Sequence, residues 1–139
     1  MQLNTYLTFN GNCREAFDFY RNVFGGEFSA FQTFGEGPPD MDMEVPEAIA
    51  DHVMHVSLPI GESTLMGSDN GPGQPDVTMG GNFSVSVSPD SREACDALFA
   101  KMADGGSVEM PLAEMFWGDY FGICRDRFGG SWMFNYSAG

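Results

Sequence analysis

The sequence predicts an α+β fold, with two βαβββ modules making up a single domain of residues 1–139. Three observations carry that prediction. Two amphipathic helices each follow a polar cap and stop at a Gly-Gly pair. Short strand-like runs surround each helix in the same order, and part of the first helix recurs in the second. Strand and helix runs in a fixed, repeated order are the signature of a duplicated supersecondary unit.

The first strand is predicted at 6–9. The helix after it is predicted to start behind Asn12, with Glu15 completing a box-like cap, and to present Ala16, Phe17, Tyr20, Val23 and Phe24 at helical spacing. Gly25-Gly26 stops it. Strands are then expected at 27–34, 52–59 and 63–66. The second module repeats the order, with a strand at 83–87 and a helix entered through Asp90, with Glu93 three residues on. That helix carries Ala94, Cys95, Leu98, Phe99 and Met102 on one face and stops at Gly105-Gly106. Strands follow at 107–110, 120–124 and 131–136. Arg14-Glu15-Ala16 returns as Arg92-Glu93-Ala94 and Asp18 as Asp96, both at an offset of 78. Residues 1–70 are thus expected to form the first module, 71–81 a linker and 82–139 the second.

Composition removes several classes of partner. At 42% hydrophobic and 14% aromatic the chain buries a real core. Twenty acids oppose six bases, for a formal charge of −14, and Arg14, Arg21, Arg92, Lys101, Arg125 and Arg127 form no run. Nucleic acid and anionic membranes both need a basic footprint, so neither is expected as a partner. The N-terminus shows no signal-peptide pattern and no apolar stretch reaches membrane-spanning length. Cys13, Cys95 and Cys124 are odd in number and widely spaced, which predicts buried free thiols and a cytoplasmic protein.

Two long loops interrupt the pattern. Residues 36–50 gather Asp40, Asp42, Glu44 and Glu47, and read as a solvated acidic loop or as a flap over a pocket. Residues 69–81, with four Gly and two Pro, read as the connection between modules.

The run from Tyr6 to Ala16, then Phe19-Tyr20, Phe24-Gly25, His55, Leu65-Met66-Gly67-Ser68-Asp69, Phe116-Trp117-Gly118, Tyr120-Phe121-Gly122 and Asp126 to Trp132, resembles the PhnB-like proteins. These belong to the vicinal oxygen chelate superfamily of glyoxalases, bleomycin-resistance proteins and extradiol dioxygenases. The resemblance spans essentially the whole chain. It implies two βαβββ modules forming an incomplete barrel around a cleft, and a homodimer. It also implies, for the metalloenzymes, a divalent metal held by a His near the start of each module and by Glu on later strands, acting as a Lewis acid on a small oxygenated substrate.

Here the sequence departs from that pattern. The implied ligand positions fall at Thr5, Met66, Phe83 or its neighbour, and about Met133, while no His precedes His52 or follows His55 and the last Glu is Glu114. Thioethers and rings are poor ligands for zinc or hard cations, so no metal and no other cofactor is expected. His52 and His55, three apart on a predicted strand, face opposite sides. A Rossmann-type cofactor loop is missing, because both helices are entered through Asn or Asp caps. What the resemblance leaves is a cleft lined by Thr5, Leu7, His55, Met66, Phe83, Trp117 and Met133, suited to a small apolar or aromatic ligand. His55 is the candidate catalytic residue should the protein be an enzyme, as general base or as part of a relocated metal site using Asp69 or Glu114. Trp132 reads as core, and Asp126 as the cap of the turn that follows it.

Overall fold

The computed structural model describes residues 1–36 and 45–138. Asp40, Asp42 and Glu44 of the acidic loop lie outside the described residues; Glu47 opens a single 3-10 turn, Glu47–Ile49. The chain divides into two compact units, Met1–Thr78 and Met79–Gly139.

The first unit runs β1 (Thr5–Phe9), α1 (Cys13–Phe24), β2 (Ala30–Thr33), β3 (Val53–Ile60) and β4 (Ser63–Asp69). Its sheet has the order β1-β4-β3-β2, with β1 parallel to β4 and the other pairs antiparallel. Helix α1 buries Cys13, Ala16, Phe17, Tyr20 and Val23, the stripe that the spacing predicts apart from Phe24, which Cys13 replaces. Burying a side chain of Phe17's size contributes about 1.5–3 kcal/mol. The helix comes close to the sheet at Gly67, where an added Cβ would sit 2.5 Å from the Phe17 ring. A glycine there is a packing requirement.

The start of α1 differs from the expected box. Asn12 occupies the cap position but its side chain makes no capping bond. Asp69, buried at the end of β4, takes over: its Oδ1 accepts from Gly11 N at 2.8 Å and Cys13 N at 2.9 Å, and its Oδ2 from Val53 N at 2.8 Å. One carboxylate satisfies orphan donors at the first turn of α1 and at the start of β3, with favourable charge against the helix dipole.

The second unit repeats the order: β5 (Val85–Val87), α2 (Arg92–Ala103), β6 (Ser107–Glu114), β7 (Tyr120–Arg125) and β8 (Ser131–Tyr136), arranged β5-β8-β7-β6 with β5 parallel to β8. The helix cap is Ser91, whose Oγ accepts from Ala94 N at 3.0 Å, and not Asp90. Cys95, Phe99 and Met102 are buried, and the Phe99 ring meets Phe134 edge-on at 5.6 Å. Neither sheet closes on itself, so each unit is an open α+β layer pair.

Three boundaries move from their expected places. Strand β5 begins at Val85, leaving Phe83 outside the sheet. Strand β6 continues through Pro111 to Glu114, past the end expected at Met110. Proline cannot donate to a ladder, and β6 tolerates it because it is an edge strand whose pairing with β7 shifts register between Met110 and Ala113, the interval that holds Pro111. The stretch expected as a linker, 71–81, is in part held by the first unit. The Asn10 side chain donates to Val77 O at 2.8 Å and accepts from Val77 N at 2.7 Å, and Asn70 Nδ2 donates to Pro75 O at 3.1 Å. Among the described residues no helix is long and apolar enough to cross a membrane.

Candidate ligand-binding faces

Strand pairing decides which side chains share a face. In the first unit Leu7 is paired with Gly67 and Thr5 with Leu65. Gly67 faces α1, so Thr5, Leu7 and Leu65 lie on the helix-covered side. Tyr6 pairs with Met66, and Met66 with Ser57, which places those three on the open side. His55, two residues before Ser57, joins them. Thr5 and Leu7, expected to line a cleft, thus lie on the side of α1 and Tyr6 on the other: a one-residue change of phase exchanges the two faces of a strand.

The open side of the first sheet carries a short polar chain. The Tyr6 hydroxyl is 3.3 Å from His55 Nδ1, and His55 Nε2 is 2.9 Å from Ser57 Oγ. The two rings lie nearly parallel, with centroids 5.8 Å apart. Tyr6 is 47% exposed and Ser57 buried, so the chain runs from solvent into the sheet with the imidazole in the middle. Both hydroxyls can donate or accept, so either tautomer of His55 is accommodated. His52 lies outside this group, with its ring against Gly11.

In the second unit Trp132 and Phe134 are buried on the side of α2. The alternating positions form the open side: Ser86 beside Met133, Met133 beside Ile123, and Ile123 beside Met110. Phe121 follows on the same side, and the Trp117 ring packs edge-on against it at 6.1 Å. Trp117 is half exposed and Phe116 is 98% exposed, with ring centroids 4.9 Å apart. The loop carrying them is anchored by Asp119, which accepts from Ser137 Oγ at 2.7 Å and Asn135 Nδ2 at 3.0 Å. Those bonds, with one from Trp117, hold the Asp119 carboxyl below the usual carboxylate range. Phe83, at 79% exposure, is set apart from these strand residues by its place before β5.

The sites thus group Tyr6, His55, Ser57 and Met66 on one unit, and Met133, Ile123, Phe121 and Trp117 on the other. Tyr6, Ser57 and Phe121 lie on these faces without being singled out by the sequence. Their alternation with buried neighbours is the signal, but it needs the phase of each strand. Asp126 does cap its turn: Oδ1 accepts from Phe128 N at 2.7 Å and Gly130 N at 3.0 Å, while Oδ2 accepts from Trp132 Nε1 at 2.8 Å.

The donor set on these faces does not fit a superfamily metal. It offers one imidazole, hydroxyls and thioethers where a divalent cation needs several imidazole or carboxylate ligands. Among the described residues no three His, Cys, Asp or Glu side chains converge. Asp69, the carboxylate considered beside His55, accepts three backbone N–H bonds, and Glu114 is paired with Arg92 at 2.7 Å in the other unit.

Comparison with known proteins agrees with this architecture. The chain is 31% identical to protein YjdN of Escherichia coli strain K12, over 97% of this chain and 95% of that protein. Among solved structures it is similar to protein PA1353 from Pseudomonas aeruginosa, at 42% identity, TM-score 0.86 and coverage of 99% and 98% of the two chains. A PhnB protein from Bacillus cereus shares the fold at 23% identity and TM-score 0.76, covering 99% of this chain and 100% of that one. A family model described as the Glyoxalase/Bleomycin resistance protein/Dioxygenase superfamily matches residues 2–134. With two βαβββ units and a match across nearly its full length, the chain belongs to the glyoxalase/bleomycin resistance protein/dioxygenase superfamily.

Proposed function

We propose that this protein binds a small apolar or aromatic molecule on the open faces of its sheets, and does so without the divalent metal of the superfamily's metalloenzymes. The observation that carries the reading is the row Tyr6–Met66–Ser57 with His55 beside it. It combines an exposed aromatic ring and a thioether with one oriented polar group, the usual composition of a small-molecule site. The apolar row Met133, Ile123 and Met110, with Phe121 and Trp117 nearby, supports the same ligand chemistry. In this reading the protein works in the cytoplasm as a homodimer. Its three buried, unpaired cysteines agree with a reducing compartment.

The test is a thermal-shift screen of aromatic compounds alongside Zn²⁺, Ni²⁺ and Mn²⁺. Compounds that bind the folded state raise its Tm, by an amount that grows with concentration over Kd. Hits are expected among the aromatics, weakened at least tenfold by Tyr6→Ala. Stoichiometric, chelator-sensitive metal binding that needs His55 would overturn the metal-free reading. Sedimentation measures the dimer.

One observation favours a second reading. The Tyr6–His55–Ser57 chain gives the imidazole a solvent-facing hydroxyl on one nitrogen and a buried one on the other. That arrangement suits a general base acting on a small oxygenated substrate. Turnover of a bound compound that is lost in His55→Ala, with binding retained, would establish it.

A further inference from the structure

The chain has two Asn-Gly pairs, Asn10-Gly11 and Asn70-Gly71, and the structure brings their asparagines together. Asn70 Nδ2 donates to Asn10 Oδ1 at 3.2 Å and to Pro75 O at 3.1 Å. Asn10 in turn pairs through both amide atoms with the backbone of Val77. Through these bonds the two amides tie Pro75 and Val77 to Asn70 and Asn10.

Asn-Gly is the dipeptide whose side-chain amide is most open to attack by the next backbone nitrogen, because glycine places no side chain in the way. The two pairs differ in what holds or crowds the glycine. Gly11 N is held by the buried Asp69 carboxylate at 2.8 Å, with Asn10 engaged at both ends of its amide. Around Gly71 the space is open, since an added Cβ would meet only Gln74 Cγ, at 3.8 Å.

We propose that Asn70 is a deamidation site, and that its conversion loosens the hold on the 71–77 segment within the first unit. The Gly71 nitrogen gives up its proton and attacks Asn70 Cγ. A C–N bond forms, ammonia leaves with the proton, and a five-membered succinimide results. Water then opens the ring to aspartate or isoaspartate. The net change is uptake of one water and loss of one ammonia, with no oxidant or reductant. The product carries a carboxylate where Nδ2 had donated, so it faces Pro75 O and Asn10 Oδ1 as a third acceptor. Two donor bonds are replaced by repulsion, and the Asn10–Val77 pair loses its brace. Asn10, with its glycine nitrogen held, stays intact.

The experiment ages the full chain at mildly alkaline pH and follows three readouts. These are peptide mass, released ammonia, and hydrogen exchange at the Val77 amide, which donates to Asn10. Asn70 is expected to gain a single mass unit well before Asn10, with one ammonia released per chain. Val77 exchange in the converted molecules should rise about tenfold. Asn70→Asp should reproduce that exchange without ageing. Gly71→Ala, which the open space tolerates, should slow conversion strongly and leave Val77 protected. Conversion of Asn10 as fast as Asn70, or Val77 protection unchanged in Asn70→Asp, would overturn the proposal.

Discussion

Asp69 caps the first turn of a helix that begins 56 residues before it, through the 2.9 Å bond from Cys13 N to its Oδ1. The same carboxylate receives Gly11 N and Val53 N, so it joins the ends of β1, β3 and β4 to α1. A buried acceptor with three backbone donors has no neutral substitute of equal capacity. In Asp69→Asn one amide arm must point N–H at N–H. We expect a loss of about 2–4 kcal/mol, read as a lower urea midpoint at unchanged slope. A loss within about 0.5 kcal/mol, the range of ordinary surface changes, would reject this role.

Asp126 and Trp132 form the matching device in the second unit, where the indole N–H donates to Oδ2 at 2.8 Å and the turn amides to Oδ1. Trp132→Phe removes one donor and Asp126→Ala removes the acceptor of all three. A double-mutant cycle should give a coupling of about 1–3 kcal/mol. Strict additivity of the two changes would show that the bond carries no stability of its own.

Gly67→Ala tests how closely α1 approaches its sheet. The added methyl would meet Phe17 ring atoms at 2.5 Å and Leu7 O at 2.8 Å, and only the first of these can yield. Overpacking of this kind costs about 1–3 kcal/mol. Restoring space with Phe17→Leu should recover part of it. A neutral Gly67→Ala would mean the helix shifts freely.

The thiols give a pH prediction. Burial, reinforced by nearby carboxylates, pushes the Cys124 thiol up to about 12 and raises Cys13 still further. An unfolded thiol titrates near about 8.5. Between those values the unfolded chain has released protons that the folded chain keeps, so stability must fall as pH rises. It is fully present below about pH 8.5 and is lost progressively toward 12. Unfolding measured across that window should show the decline, and replacing Cys124 by Ala should flatten it. Ellman's reagent should find no fast-reacting thiol before unfolding.

Much of the architecture was legible because helices declare themselves locally. The spacing of Phe17, Tyr20 and Val23, and of Cys95, Phe99 and Met102, is a property of neighbouring residues. What could not be read depends on distant partners. Asn12 looks like a cap and makes no capping bond, because Asp69 arrives from β4 to replace it. Thr5 and Leu7 look like lining residues, but pairing with Leu65 and Gly67 turns them toward α1 and leaves Tyr6 beside His55. Residues 71–77 look like a free linker until Asn10, far back in the chain, pins Val77. Pro111 looks like the end of a strand, and only its place at a sheet edge lets β6 pass through it.

The parallel pairing of first and last strands sets how each unit can fold. Strand β1 finds its neighbour only when β4 exists, as Thr5 meets Leu65, and β5 waits in the same way for β8, as Val85 meets Trp132. Such closures carry a large loop entropy and slow the search, and no shorter piece of the unit has a partner for its opening strand. During synthesis the first unit must therefore stay incomplete until its last strand leaves the ribosome. The second unit meets the same condition, with β5 unpaired until β8 is in place.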